Sequence, residues 1–104
     1  MFTKIAYFKD SLLCVQAKGK LDIYNAPDYL DEIKEYLKKY CIKELILDFS
    51  EISFIASIGL RAILELYKIM KEQGCHLKLM NVNKEILSAF KITGFDSFLT
   101  IENE

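Results

Sequence analysis

Four side chains in this sequence of 104 residues could act on a ligand or be modified: His76, Asp22, Asp48 and Ser57. An imidazole beside a carboxylate can move a proton, and two carboxylates brought together by the fold can act as an acid and base pair. No acid or nucleophile stands near His76 in the sequence, which favours a partly exposed strand residue. Asp22 and Asp48 end or follow strands, where aspartate usually forms turns or caps. The sequence therefore offers little support for catalysis.

Motifs for phosphate or metal binding do not occur in the sequence. The four glycines stand where strands or helices are predicted to begin or end, so none belongs to a phosphate-cradling loop. The cysteines are odd in number, far apart and without a C-x-x-C pair, which predicts small core side chains rather than disulfides or metal ligands: Cys14, Cys41 and Cys75. We therefore expect no cofactor and no metal.

Composition and charge favour a globular protein with a single domain over residues 1–104. Apolar residues make up 52% of the chain and charged residues 28%, which allows a packed core. Fourteen basic and fifteen acidic residues leave a net charge of −1, whereas nucleic-acid binding needs a basic excess. No signal peptide or membrane-spanning run is visible. We expect a cytoplasmic protein that binds neither nucleic acid nor membrane.

Apolar periodicity divides the chain into alternating strands and helices. Strands are predicted at residues 2–8, 13–18, 44–49 and 76–80, and helices at 26–40, between Ser57 and Gly74, and between Asn83 and Gly94. Parallel strands need crossover connections, so this order predicts an α/β layer structure with a parallel central sheet.

Local signals also predict where the elements begin and end. Three residues are predicted helix N-caps: Asn25, Ser57 and Asn83. Gly19 is predicted to end the second strand. Residues 50–56 are predicted to form a connector, and residues 102–104 a frayed tail.

The second helix has a predicted core face and a predicted outer face. The core face is expected at Leu60, Ile63, Leu64, Tyr67 and Met70, and the outer face at Arg61, Glu65 and Lys68. On this pattern, Leu64→Ala should cost about 2–5 kcal/mol of stability.

Ser57 is the most informative of the four chemical residues. The first N–H groups of a helix lack partners within the helix and carry partial positive charge, so a hydroxyl can cap them and a phosphate is tolerated there. A plain N-cap is the simple interpretation. Ala56, Ile58 and Gly59, however, keep the start of the helix small and partly apolar, which is typical of a docking face.

Three segments resemble the STAS domains of anti-sigma factor antagonists. The chain segment from Asp48 through Ser57 to Leu60 looks like the central family motif, and Gly19-Lys20-Leu21-Asp22 with Ala26 is similar to the G-x-L-D…A element. Phe90-Lys91-Ile92-Thr93-Gly94-Phe95-Asp96, with Phe98 and Ile101, resembles the C-terminal F-x-I-T-G element. The matches occur in the family order over essentially the whole chain.

The resemblance implies a mixed sheet of four to five strands flanked by three to four helices. It also implies an anti-sigma factor of the serine-kinase type as partner, phosphorylation at Ser57 that abolishes binding, and a phosphatase that restores it. The implied partner-binding residues are Asp22, Ala56, Ser57, Ile58, Gly59 and Arg61. We expect no enzymatic activity, and a monomer or weak homodimer.

Two positions depart from the family pattern. Ala56 replaces the aspartate that many phosphorylated members carry before the serine, and Ile58 replaces the serine or threonine after it. Docking tolerates these changes more easily than phosphorylation does. The alternative function is therefore a non-catalytic STAS subunit of a lipid-transport or stress-signalling complex.

Overall fold

The computed structural model describes residues 2–103, which form a five-stranded sheet and three α-helices. The strands are β1 (Thr3–Lys9), β2 (Leu12–Leu21), β3 (Glu44–Ile55), β4 (His76–Met80) and β5 (Thr100–Glu102). The helices are α1 (Ala26–Lys39), α2 (Ser57–Glu72) and α3 (Lys84–Thr93), and a short 3-10 helix follows at Phe95–Ser97. The predicted α/β class is confirmed.

The sheet is mixed, with its strands in the spatial order β1-β2-β3-β4-β5. β1 is an antiparallel edge strand on β2, whereas β2, β3, β4 and β5 run parallel. Asp10 and Ser11 form the turn between β1 and β2 with φ angles of 53° and 66°. A turn with two positive φ angles matches the right-handed twist of the strands that it joins.

The hydrophobic core lies on one face of the sheet. Leu13, Leu45 and Leu77 are paired across β2, β3 and β4, and Val15, Leu47 and Leu79 form the next row. These side chains share one buried cluster with residues of all three helices: Tyr29, Ile33, Ile63, Leu66, Met70, Ile86 and Phe90. The helices therefore cover the same face.

Among residues 2–103, no helix has the length and hydropathy needed to cross a membrane.

β3 is longer than the sequence predicts. Residues 50–55 continue the strand instead of forming a connector, and β2 runs past Gly19 to Leu21. The two strands stay paired through two shifts in their register, one between Gln16 and Lys18 and one between Gly19 and Lys20. Gly19, with φ at +95°, supplies the backbone conformation that such a shift requires.

The buried face of α2 also differs from the predicted one. Its buried residues are Gly59, Ala62, Ile63, Leu66 and Met70. Leu60 and Tyr67 are half-buried against the core, and Leu64 is half-buried outside the core cluster. Apolar residues occupy several sides of this helix, so its sequence is compatible with more than one buried stripe. The contacts of α2 with α1, β3 and β4 select the stripe through Leu66.

The predicted boundaries of α3 are confirmed. The Asn83 side chain accepts a hydrogen bond from the Ile86 amide at 2.9 Å, and Gly94 ends the helix with φ at +79°. The prediction that the Asn25 side chain caps α1 is wrong. Asn25 occupies the N-cap position of α1, but its side-chain amide donates to the Lys20 carbonyl.

The predicted fraying of the C-terminal tail is wrong for two of its three residues. Glu102 belongs to β5, and the Asn103 side chain makes hydrogen bonds of 2.9 Å with the Val82 amide and carbonyl. Glu104 lies outside the described residues.

The cysteine prediction is confirmed for the buried Cys14 but wrong for the exposed Cys41.

Candidate functional site

The ends of β2 and β3 bring two chain segments together at one edge of the sheet. Leu21 and Ile55 are paired at the end of the two parallel strands, and the Ala56 amide donates to the Leu21 carbonyl at 2.9 Å. Asp22 and Ala56 therefore leave the sheet side by side. Ser57 begins α2 immediately afterwards, so the two predicted motifs lie at one place in the fold.

Ser57 is not the N-cap that the sequence predicts. Ala56 holds the N-cap position with extended backbone angles, and its carbonyl accepts the first hydrogen bond of the helix, from the Leu60 amide. β3 continues to Ile55, so Ser57 is already the first helical residue. Its side chain is exposed, and its hydroxyl has no hydrogen-bond partner within residues 2–103. The hydroxyl is therefore available for chemistry rather than engaged in capping.

Asp22 organises the loop between β2 and α1. One carboxylate oxygen accepts hydrogen bonds from the amides of Tyr24 and Asn25, both at 3.0 Å, and the Asp22 carbonyl accepts one from Ala26 at 2.9 Å. An aspartate that binds the amides following it forms a tight and well-defined turn. Asp22 thus gives the loop its shape and lies beside Ala56.

Three large apolar side chains in the two chain segments that meet here are exposed to solvent. The exposed fractions are 67% for Ile23, 83% for Tyr24 and 48% for Phe54. We call residues 22–24, 54 and 56–58 the Ser57 surface. Exposed apolar groups of this kind mark interaction sites when they cluster. The sequence interpretation missed Ile23 and Tyr24, although two large apolar residues between a turn aspartate and a helix start were a usable signal.

Gly59 lies beneath the Ser57 surface and is buried. A Cβ atom at this position would lie 2.6 Å from the Leu21 carbonyl oxygen and 2.8 Å from Cγ1 of Ile55. The first turn of α2 therefore rests directly on the ends of β2 and β3. Gly59 positions this surface from below and has no side chain to offer a partner.

Ile58 and Arg61 face a shallow groove between the start of α1 and the start of α2. The groove has a volume of about 200 Å³, and α1 contributes Ala26, Pro27 and Leu30 to it. The six predicted partner-binding residues thus fall into three groups. Asp22, Ala56 and Ser57 lie at the sheet edge, Ile58 and Arg61 line the groove, and Gly59 lies against the ends of β2 and β3.

The other chemical residues do not assemble into a catalytic group. His76 is exposed at the start of β4, as predicted. Asp48 accepts hydrogen bonds from the Ser50 amide at 2.9 Å and from the Asn81 side chain at 3.1 Å. Partial burial raises its pKa, but these hydrogen bonds outweigh burial and hold the pKa of Asp48 below its usual value. Asp22 is a turn residue, as predicted, whereas Asp48 lies within β3, so the prediction that it ends a strand is wrong.

Tyr29 joins α1 to β2 within the core. Its side chain is 2% exposed, and its hydroxyl donates a hydrogen bond to the Lys18 carbonyl in β2. Burial, together with the negative charges of Glu32 and Asp22, raises the pKa of Tyr29 to about 12. The neutral phenol is therefore strongly favoured in the folded state.

Tyr29→Phe should change how stability responds to alkaline pH. A raised pKa in the folded state contributes stability below the ordinary tyrosine pKa of about 10, and this contribution is lost as the pH rises towards about 12. At pH 8 the variant should lose about 1 kcal/mol with the hydrogen bond. Urea unfolding between pH 8 and 12 should then show the difference from wild type shrinking.

The matched control is Tyr24→Phe, because Tyr24 is 83% exposed. This variant should follow the wild-type curve at every pH. A constant difference between wild type and Tyr29→Phe up to pH 12 would contradict the assignment of Tyr29 as a buried neutral phenol.

The sequence and the fold together place the chain in a known class of protein. The STAS domain family matches residues 3–104, and the chain belongs to this family. An anti-sigma-B factor antagonist of Listeria monocytogenes is 31% identical over 88 residues, which cover 82% of this chain and 74% of that protein.

Two solved structures share the fold at lower sequence identity. An anti-sigma factor antagonist from Mycobacterium paratuberculosis superimposes with a TM-score of 0.80 at 18% identity, covering 95% of this chain and 84% of that one. The Bacillus cell fate determinant SpoIIAA in its phosphorylated form superimposes with a TM-score of 0.72 at 16% identity, covering 98% and 92%. The expected STAS fold is therefore confirmed.

Proposed function

We propose that this protein is an anti-sigma factor antagonist that acts in the cytoplasm without catalysing a reaction. It binds an anti-sigma factor of the serine-kinase type through the Ser57 surface, and phosphorylation of Ser57 by that partner releases it. A phosphatase restores the binding form. Family membership and the relative from Listeria support the antagonist role.

The observation that carries the proposal is the position of the Ser57 hydroxyl. It is exposed at the first residue of α2 and has no hydrogen-bond partner within the described chain. Ile23 and Tyr24 follow Asp22 in the adjoining loop and add exposed apolar surface to it. A partner that docks on this loop and on the adjacent start of α2 would also cover Ser57, so docking and modification would share one place.

A phosphate at Ser57 would affect folding and docking in opposite ways. It would add a charge of about −1.5 to −2. The start of α2 carries no acidic residue in its first turn and offers free amides with partial positive charge, so the fold would tolerate the phosphate. In a dry interface the same charge would lose its water without gaining a partner. This asymmetry makes the position suitable for a switch.

Ala56 bears on the modification more than on the docking. It fills the N-cap position with a methyl group, so no carboxylate stands next to the hydroxyl on its N-terminal side. In the alternative, a STAS subunit of a lipid-transport or stress-signalling complex, the same surface would dock a different partner and Ser57 would not be phosphorylated. Transfer of phosphate from the anti-sigma factor to Ser57 therefore separates the two functions.

Ser57→Asp should lower affinity for the cognate anti-sigma factor by tenfold or more, about 1.4 kcal/mol, as charge enters a desolvated contact. Its free energy of unfolding should be no lower than that of wild type and up to about 0.3–1 kcal/mol higher, because a carboxylate at a helix start is favourable. Ser57→Ala should keep the partner and stay within about 0.5 kcal/mol in stability, because no capping bond is lost. Calorimetric titration and thermal melts measure both properties.

Ser88→Asp provides the charge-matched control, since Ser88 is exposed on α3. It should bind the anti-sigma factor like wild type. If Ser57→Asp also binds like wild type while melting normally, Ser57 has no switch role. Phosphate incorporation on incubation with the anti-sigma factor and ATP, absent in Ser57→Ala, tests the kinase step.

A further inference from the structure

The groove between α1 and α2 has apolar walls and a floor of small side chains. Ala26 and Ala62 are buried at its base, while Leu30 and Ile58 are half-buried on opposite sides. Its volume of about 200 Å³ lies below the roughly 300–1,000 Å³ of typical small-molecule sites. The size therefore suits one side chain of a protein partner better than a metabolite.

The charges on the rim of the groove are not balanced. Arg61 and Glu65 both line it, but Glu65 already binds Lys34 of α1 at 2.6 Å. Arg61 has no ion-pair partner within residues 2–103. One positive charge thus remains beside the apolar groove. A partner complementary to this site must present an acidic group next to an apolar side chain.

The groove adjoins the Ser57 surface. Ile58 belongs to both, and Ala26 directly follows the loop that Asp22 organises, since its amide binds the Asp22 carbonyl. A partner that covers Ser57 and the β2–α1 loop therefore reaches the groove. The same molecule that occupies the Ser57 surface is the natural occupant.

We propose that the groove receives one apolar side chain of the anti-sigma factor and that Arg61 pairs with an acidic residue beside it. This inference rests on the proposed function and adds the chemistry of the partner segment. Arg61 thereby favours anti-sigma factors that carry this apolar and acidic pair. The switch at Ser57 and the selection at Arg61 use neighbouring parts of one interface.

Charge reversal at Arg61 tests the inference with the cognate anti-sigma factor. Arg61→Glu should lower affinity by about tenfold or more, and Arg61→Lys should stay within about threefold of wild type. Ile58→Ala should lower affinity by a similar factor, with a thermal melt to confirm folding. Lys68→Glu makes the same charge change at an exposed residue of α2 outside the groove, and it should bind like wild type.

A charge exchange identifies the partner residue directly. Single Asp→Arg and Glu→Arg substitutions in the anti-sigma factor should include one that weakens binding to wild type and restores binding to Arg61→Glu. Failure to find such a position, or equal losses for Arg61→Glu and Lys68→Glu, would overturn the proposal.

The outcomes also separate this inference from the proposed function. Loss of binding in Ser57→Asp but not in Arg61→Glu or Ile58→Ala would leave the switch intact and refute the groove. Absence of binding by the unmodified protein would refute both. A change in self-association in Arg61→Glu, with partner affinity unchanged, would assign the groove to a second copy of the chain and refute the proposal.

Discussion

Leu66→Ala should lower the free energy of unfolding by about 2–5 kcal/mol, because it opens a cavity in a fully buried site. Leu66 is 1% exposed, and it lies in the core cluster between α2 and the sheet. The neighbouring atoms belong to strands and helices that pack from several sides, so they can fill the space only partly. Urea unfolding of both proteins at one pH measures the difference.

The matched control is Leu64→Ala in the same helix. It removes the same atoms and changes helix propensity equally, but Leu64 is half-buried and lies outside the core cluster. Its cost should be clearly smaller than that of Leu66→Ala. An equal or larger cost at Leu64 would mean that α2 buries the face predicted from the sequence. The buried stripe through Leu66 would then be wrong.

Gly59→Val should destabilise the protein by about 3 kcal/mol, through overpacking beneath the Ser57 surface. In an isolated helix, replacing glycine usually helps, because glycine in mid-helix costs about 0.5–1 kcal/mol relative to alanine. Here the new Cβ would meet the Leu21 carbonyl oxygen at 2.6 Å and the Leu21 Cβ at 2.9 Å. The carbonyl is held in place by the Ala56 amide, so it cannot move aside cheaply.

Lys68→Val is the control for helix propensity, because it introduces the same residue at an exposed position of α2. It should change stability by no more than about 0.5 kcal/mol. Gly59→Ala should fall between the two variants, since it adds only the clashing Cβ. Stabilisation of the protein by Gly59→Ala would mean that α2 does not rest on the end of β2 as closely as described.

The sequence alone determined the family and the order of the main elements. The segments around Asp22, Ser57 and Gly94 match motifs, and motifs are local strings of residue types that need no coordinates to be read. The cap at Asn83 and the stop at Gly94 were predictable for the same reason. A side chain that binds its own following amide, or a glycine with positive φ, acts within a few residues of itself.

The tertiary structure decided which side of α2 is buried, how far β3 extends and what Ser57 does. Leu64 and Leu66 are equally apolar, and only the packing of α2 against α1 and the sheet distinguishes them. β3 continues past Ser50 because β2 offers it hydrogen-bonding partners through an irregular register. That extension makes Ala56 the cap and leaves the Ser57 hydroxyl without a capping role. These features depend on partners distant in the chain, which a local pattern does not encode.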